Sequence, residues 1–271
     1  MKIDYIYNKV SQLAHRSWLL ALGFLLMANC RSLTANAQVG DYRTDLAVGV
    51  SGGYMLSNVG FMPEVPQNML GGLMGGLTVR YTCEKYFMSI CSIVAEFNIA
   101  QTGWKEDIKD VNNNPVYYAD DTNHTNPLQY ERKMTYLQIP LMARLGWGRE
   151  RKGFQAFFQV GPQIGMFMGD KTKTNVVSDR ATEHERSSKV VAQDTMAVQR
   201  KFDYGITGGA GIEYSHPRLG HFMLEGRYYY GLGDMFNNSK ADIFGRSNFG
   251  QIVIKATWLF DIVRTKNNKI K

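Results

Sequence analysis

Eight stretches of this chain alternate apolar and other residues with a period of two, and that alternation constrains the fold more than any other feature. The clearest stretch is 136–147, YLQIPLMARLGW. Leu137, Ile139, Leu141, Ala143, Leu145 and Trp147 share one face, while Tyr136, Gln138, Pro140, Met142, Arg144 and Gly146 share the other. Residues 154–168 repeat the rule, with Phe154, Ala156, Phe158, Val160, Pro162, Ile164, Met166 and Met168 on the apolar face. The remaining stretches run over roughly 43–56, 70–82, 86–101, 202–214, 221–233 and 248–261. A period of two is a strand signature. With 27 Gly, 15 Tyr and only 7 Pro, the composition also suits strands joined by turns.

The connections alternate as well. Residues 83–85, 148–153 and 215–220 are short and turn-like, whereas 57–69, 102–135, 169–201 and 234–247 are long and polar. Short and long connections around an even number of strands describe an all-β, eight-stranded, antiparallel up-and-down barrel. Periodicity leaves open whether the apolar face points inward, around a ligand, or outward, toward lipid.

The opposite face decides for a transmembrane β-barrel with short periplasmic turns and long extracellular loops. It carries Arg80, Glu96, Arg144, Asp203, Glu213, Glu225, Arg227 and Lys255, several of them mid-strand and mixed in sign. Such residues suit a compact interior where charges pair and brace the wall. Tyr81, Phe87, Trp147, Phe154, Tyr214, Phe222, Trp258 and Phe260 fall near the short-turn ends of the apolar face, as an aromatic girdle would. Outer-membrane lipid is therefore the expected surroundings.

The first 37 residues read as a cleaved signal peptide, leaving 38–271 as the barrel domain. A basic leader precedes the apolar run WLLALGFLLMA (18–28), and Ala35 and Ala37 supply a small-x-small cleavage site before Gln38. Cys30 lacks the small residue expected before a lipidated cysteine. The leader carries +3 of the formal net charge of +7, so the remainder is too mildly basic to indicate nucleic acid. Cys83 and Cys91 form no disulfide framework and sit out of simple register on one hairpin.

YLQIPLMARLGWG (136–148) followed by FQAFFQVGPQIGMFMG (154–169) resembles the central hairpin of the PorT-like outer-membrane β-barrel proteins of the Bacteroidetes, with their Y-L-x-I-P-L and G-P-x-x-G strands. SIVAEFNIAQTGWK (92–105) is similar to the preceding strand, with Glu96 at its acidic position. The likeness extends over about 43–262. It implies an outer-membrane location and a small barrel, and no particular activity. The family's namesake takes part in type IX protein secretion and gliding, which makes a transport or secretion component an alternative reading. The chain continues past its last aromatic as a basic tail (261–271).

Motifs for chemistry are thin. YGITGGAGIEY (204–214) is glycine-rich but has neither the Lys-Ser/Thr of a phosphate loop nor a following helix. No cofactor is expected. DVNNNPVYYADD (110–121) places Asp110, Asn112, Asn114 and Asp121 at positions 1, 3, 5 and 12 of a calcium loop. Pro115 stands where glycine is needed, and no metal is assigned. His124, His184, His216 and His221 lack zinc spacing. His184 and Ser187 lie in a loop with no strand to fix them. The expectation is a non-enzymatic barrel whose loops 102–135 and 169–201 contact other envelope proteins. The alternatives are a small porin or transport component and a lipid-modifying enzyme.

Overall fold

The computed structural model describes residues 41–264 except 87–88, 150–151, 178–179 and 240–241. The expected signal segment, with Ala37, Gln38 and Cys30, lies outside the described residues, as do Phe87 and 265–271. Nine strands follow in chain order: β1 (Asp41–Met62), β2 (Gln67–Asn68), β3 (Leu70–Tyr86), β4 (Ser89–Glu106), β5 (Tyr130–Gly148), β6 (Gly153–Thr174), β7 (Phe202–His216), β8 (Gly220–Gly231) and β9 (Arg246–Val263). All eight long strands pair antiparallel with their sequence neighbours. The ring closes through β1 on β9, from Leu46↔Val263 to Met62↔Arg246. Two-residue β2 stands outside the ring and pairs with the outer end of β4. The fold is thus the expected eight-stranded up-and-down barrel with one added strand fragment.

Side chains point where the alternation places them. Leu141, Leu145, Phe158, Ile212 and Leu224 are exposed on the outer wall, while Gln138, Arg144, Gln159, Glu213 and Glu225 between them are buried in the lumen. Of the expected girdle, Tyr81, Trp147, Phe154, Tyr214, Phe222, Trp258 and Phe260 are all exposed near the short-turn rim. Cys91 pairs with Glu84, and Cys83 occupies the bulge beside that pair.

The strands run further than expected on the long-loop side. Residues 102–106, 130–135 and 169–174 belong to β4, β5 and β6 and not to loops, and β1 continues to Met62. The reason is an exchange of faces. Along β5 the apolar residues are odd-numbered from Leu137 to Trp147 and face out. Below 137 the buried residues are Tyr130, Arg132, Met134 and Tyr136, while Glu131, Lys133 and Thr135 face out. β4 repeats this, with Phe97 and Ile99 facing out and then Trp104 buried beside the more exposed Lys105. The alternation continues, but its apolar phase shifts by one residue, which reads as the end of a strand.

Gly209 and Gly211 are required by close approach. A β-carbon at Gly209 would lie 2.5 Å from the Gly226 carbonyl oxygen. One at Gly211 would lie 2.4 Å from the Leu224 carbonyl oxygen and 2.7 Å from the Phe157 ring. Gly209 pairs with Arg227 and Gly211 with Glu225, so the bare positions stand beside bulky charged neighbours. Gly209→Val with Gly211→Val should abolish the compact, heat-modifiable band on a gel, because overpacking that forces side-chain and backbone shifts costs about 1–3 kcal/mol per site or more. Gly226→Ala, where a β-carbon meets nothing within 4 Å, should migrate like the unaltered protein.

Candidate functional site

Among the described residues the expected site residues meet in the barrel interior, which holds two charge clusters at different depths. In the middle, Arg227 on β8 donates from Nη1 and Nη2 to the Glu96 carboxylate on β4 at 3.0 and 2.9 Å, and from Nη2 to Glu225 at 2.6 Å. Lys255 on β9 donates to Glu96 at 2.5 Å and lies 2.9 Å from Glu225. Asn98 donates to Glu96 at 2.8 Å, and Gln159 donates to Glu225. Two acids and two bases balance in a space where each is about as buried as a side chain can be.

The second cluster lies toward the short-turn rim. Arg80 on β3 donates from Nη1 to both oxygens of Glu213 on β7, each at 2.8 Å. Arg144 on β5 donates to the same carboxylate and rests its guanidinium 4.0 Å from the Phe157 ring centre. His221 places Nδ1 2.6 Å from Glu213 and Nε2 2.9 Å from Asp261, which also pairs with Arg264. Of the eight expected interior charges, all are buried, but Asp203 joins neither cluster. It lies toward the long-loop end and accepts a 2.7 Å hydrogen bond from the Tyr229 hydroxyl.

Ser215, His221 and Asp261 outline a hydrolase row that the sequence does not announce. Ser215 Oγ is 2.8 Å from His221 Nδ1, and His221 Nε2 faces Asp261. Its geometry is unsuited to attack. His221 Nδ1 is closer to Glu213 than to the serine, Ser215 Oγ also reaches Glu213 at 3.2 Å, and Ser215 is 0% exposed. His184 and Ser187, the loop pair considered from sequence, share no hydrogen bond among the described residues.

Above the clusters the lumen turns apolar. Val59, Phe61, Trp104, Tyr130, Met134, Tyr136, Tyr229, Phe236, Phe244 and Phe249 form one buried core at the long-loop end. Phe61 and Trp104 meet edge-on with centroids 5.3 Å apart, and Phe61 and Phe244 lie 5.0 Å apart. The signal for this plug was present as inward aromatics at the strand ends. It was masked because Trp104 and Tyr130 sit in stretches that read as loop.

The loops over the plug are paired with each other. Tyr118 bridges Thr182, Ser187 N–H donates to the Lys109 carbonyl at 2.8 Å, and the Tyr118 hydroxyl donates to the Asn175 carbonyl at 2.7 Å. The calcium-like residues serve turns. Asp110 accepts backbone N–H groups of Asn112 and Asn114 at 2.8 Å each, and Asp121 accepts from Thr125 and Asn126. Both carboxylates are held below their ordinary range, Asp110 chiefly by the Asn114 amide and Asp121 by that of Asn126. No cluster of metal-ligating side chains occurs among the described residues.

Beneath these loops, beyond the outward apolar band, Glu106 accepts from Gln193 at 2.8 Å and faces Asp194 and Arg186. Burial, with the Asp194 charge second, pushes its carboxyl up to about 8 from 4.5. A raised acid binds its proton more tightly in the folded cap than in the open one, so cap stability is lost as pH rises from about 4.5 to about 8. Limited proteolysis of residues 175–201 should be slower at the acid end of that window than at its alkaline end, and Glu106→Gln should flatten the difference. In the middle cluster, Glu96→Gln should lower stability by about 3–5 kcal/mol in urea unfolding from phospholipid vesicles, since it strips a carboxylate from both Arg227 and Lys255.

The structure is similar to Ail, the attachment invasion locus protein of Yersinia pestis, at 12% identity over 80% of this chain and 99% of Ail, with a TM-score of 0.34. It is similar to OprG of Pseudomonas aeruginosa at 13% identity over 82% of this chain and 98% of OprG, TM-score 0.38. It is also similar to the outer membrane enzyme PagL at 9% identity over 77% and 98%, TM-score 0.36. No curated protein sequence matches the chain. The outer membrane protein beta-barrel domain family matches residues 36–237. With its closed ring, apolar outer wall and polar lumen, this chain belongs to that family and resides in the outer membrane.

Proposed function

We propose that this protein is a closed, non-enzymatic barrel that serves the cell envelope as a structural and interaction component, with its paired outer loops as the contact surface for other envelope proteins. One observation carries the reading: the lumen is filled along its length, by ion pairs in the lower and middle barrel and by an aromatic core at the outer mouth. A filled lumen supports bracing over conduction, and the buried Ser215 supports a non-catalytic role over lipid modification. The eight interior charged residues act as braces in this reading, Asp203 through Tyr229 and the others through ion pairs. The likeness of residues 136–169 to the PorT-like barrels of the Bacteroidetes favours that branch of the family, with a secretion component as the second reading.

Planar-bilayer recording and lipid A mass spectrometry test the proposal together. The expected outcome is no steady single-channel current, and an unchanged lipid A spectrum in cells with and without the protein. A stable conductance would replace the brace with a pore. A lipid A mass shift that Ser215→Ala removes would replace it with an enzyme.

A further inference from the structure

We propose that the outer wall of β4, β5 and β6 carries a binding site for the phosphate of an outer-leaflet glycolipid headgroup, built by Lys105, Lys133, Lys171 and Lys173. The four lysines occupy outward positions on three adjacent strands. Lys133 stands directly opposite Lys171, and Glu131 stands between Lys105 and Lys173. With strands about 4.8 Å apart and alternate residues about 7 Å apart, the four ammonium groups fit around one or two phosphate esters. Lys105, Lys173, Glu131 and Asn175 also line a shallow cleft of about 250 Å³ on this wall.

Two physical arguments point to an anion. Like charges directly opposite each other across a strand pair are destabilising, and Lys133 and Lys171 form such a pair. Only Glu131 answers them. It lies 3.9 Å from Lys133, and no ion pair among the described residues engages Lys105, Lys171 or Lys173. A net positive group of this kind is resolved most simply by an external negative charge.

Height on the barrel identifies the source of that charge. The outward apolar residues of β5 end at Leu137 and those of β4 at Ile99. Lys133 lies four residues further, about 10 Å above the acyl chains on a tilted strand, which is the depth of lipid headgroups. At the matching height, β1 presents Asn58, Gly60 and Met62. The wall below the lysines already holds acyl chains, so a phosphate on the same lipid reaches the site without further ordering.

The test uses the full protein reconstituted in phosphatidylcholine vesicles, alone, with phosphorylated lipid A, or with enzymatically dephosphorylated lipid A. Lipid carried through detergent exchange is read by native mass spectrometry. The protein should retain phosphorylated lipid A over the dephosphorylated form by roughly tenfold or more, given the surface attraction of several lysines. The K105Q/K133Q/K171Q/K173Q variant should lose that preference while keeping its heat-modifiable gel shift. If that variant does not fold, Lys133→Gln alone should reduce the preference. Equal retention of both lipids, an unaltered preference in the folded variant, or displacement by inorganic phosphate alone would overturn the proposal.

Discussion

An eight-stranded barrel has a lumen just wide enough for its own side chains, and the rest of this structure depends on how that narrow space is bridged. In the ring order, β4 and β8 stand four strands apart, as do β3 and β7, and β5 and β9. Each of these opposite pairs is joined by side chains: Glu96 with Arg227, Glu213 with Arg80, and Gln138 with Gln251 at 3.0 Å. The wall is thus tied across its diameter at successive depths. Surface ion pairs contribute little, but these are removed from water and multiply hydrogen-bonded. Losing one partner would strand a charge with no solvent to receive it. The ties hold the section of the barrel.

That bridging explains features of the wall that otherwise look unrelated. Arg227 and Glu225 reach inward from β8, and the facing positions on β7 are Gly209 and Gly211. Bulk on one strand is met by its absence on the next. The glycine-rich stretch 204–214 therefore reflects crowding, and its fully buried Glu213 is the hub of the lower cluster. His221, set between Glu213 and Asp261, extends that cluster toward the short-turn rim, where Arg264 closes it. His221 there shares its two nitrogens between the Glu213 and Asp261 carboxylates.

Much of this was legible in the sequence because strand alternation is a local property. Within the outward apolar band the faces of β5, β6 and β9 follow residue by residue from their spelling, as does the burial of Arg80, Glu96, Arg144 and Lys255. What was not legible depends on closure. Nothing local tells Glu96 that its partner is Arg227, 131 residues away, rather than Arg80 on the adjoining strand. That choice follows from which strands come to lie opposite. The outer strand ends escape a sequence reading for a different reason. Past Leu137 and Ile99 the apolar residues change sides, and a rule that expects one apolar face stops there. The loop pairing was hidden as well, since it rests largely on backbone groups of Tyr117, Ala119, Ala181 and Glu183 that any side chains would supply.

The change of sides marks the boundary between two solvents. At membrane depth the wall faces hydrocarbon, so apolar groups gain nothing by turning inward and the lumen collects the polar ones. Above that depth the wall faces hydrated headgroups and then water, and the ordinary rule returns: Trp104, Tyr130, Tyr136 and Phe249 turn inward while Lys105, Glu131 and Lys133 turn outward. One continuous set of strands thus encloses an inverted core below and a conventional hydrophobic core above. The upper core needs no lipid to form its contacts, and the loops pack onto it through Ile108, Val190 and Met196. The outer loops are therefore anchored by the same aromatic cluster that closes the barrel, so the shape they present outside the cell is set by packing at the mouth.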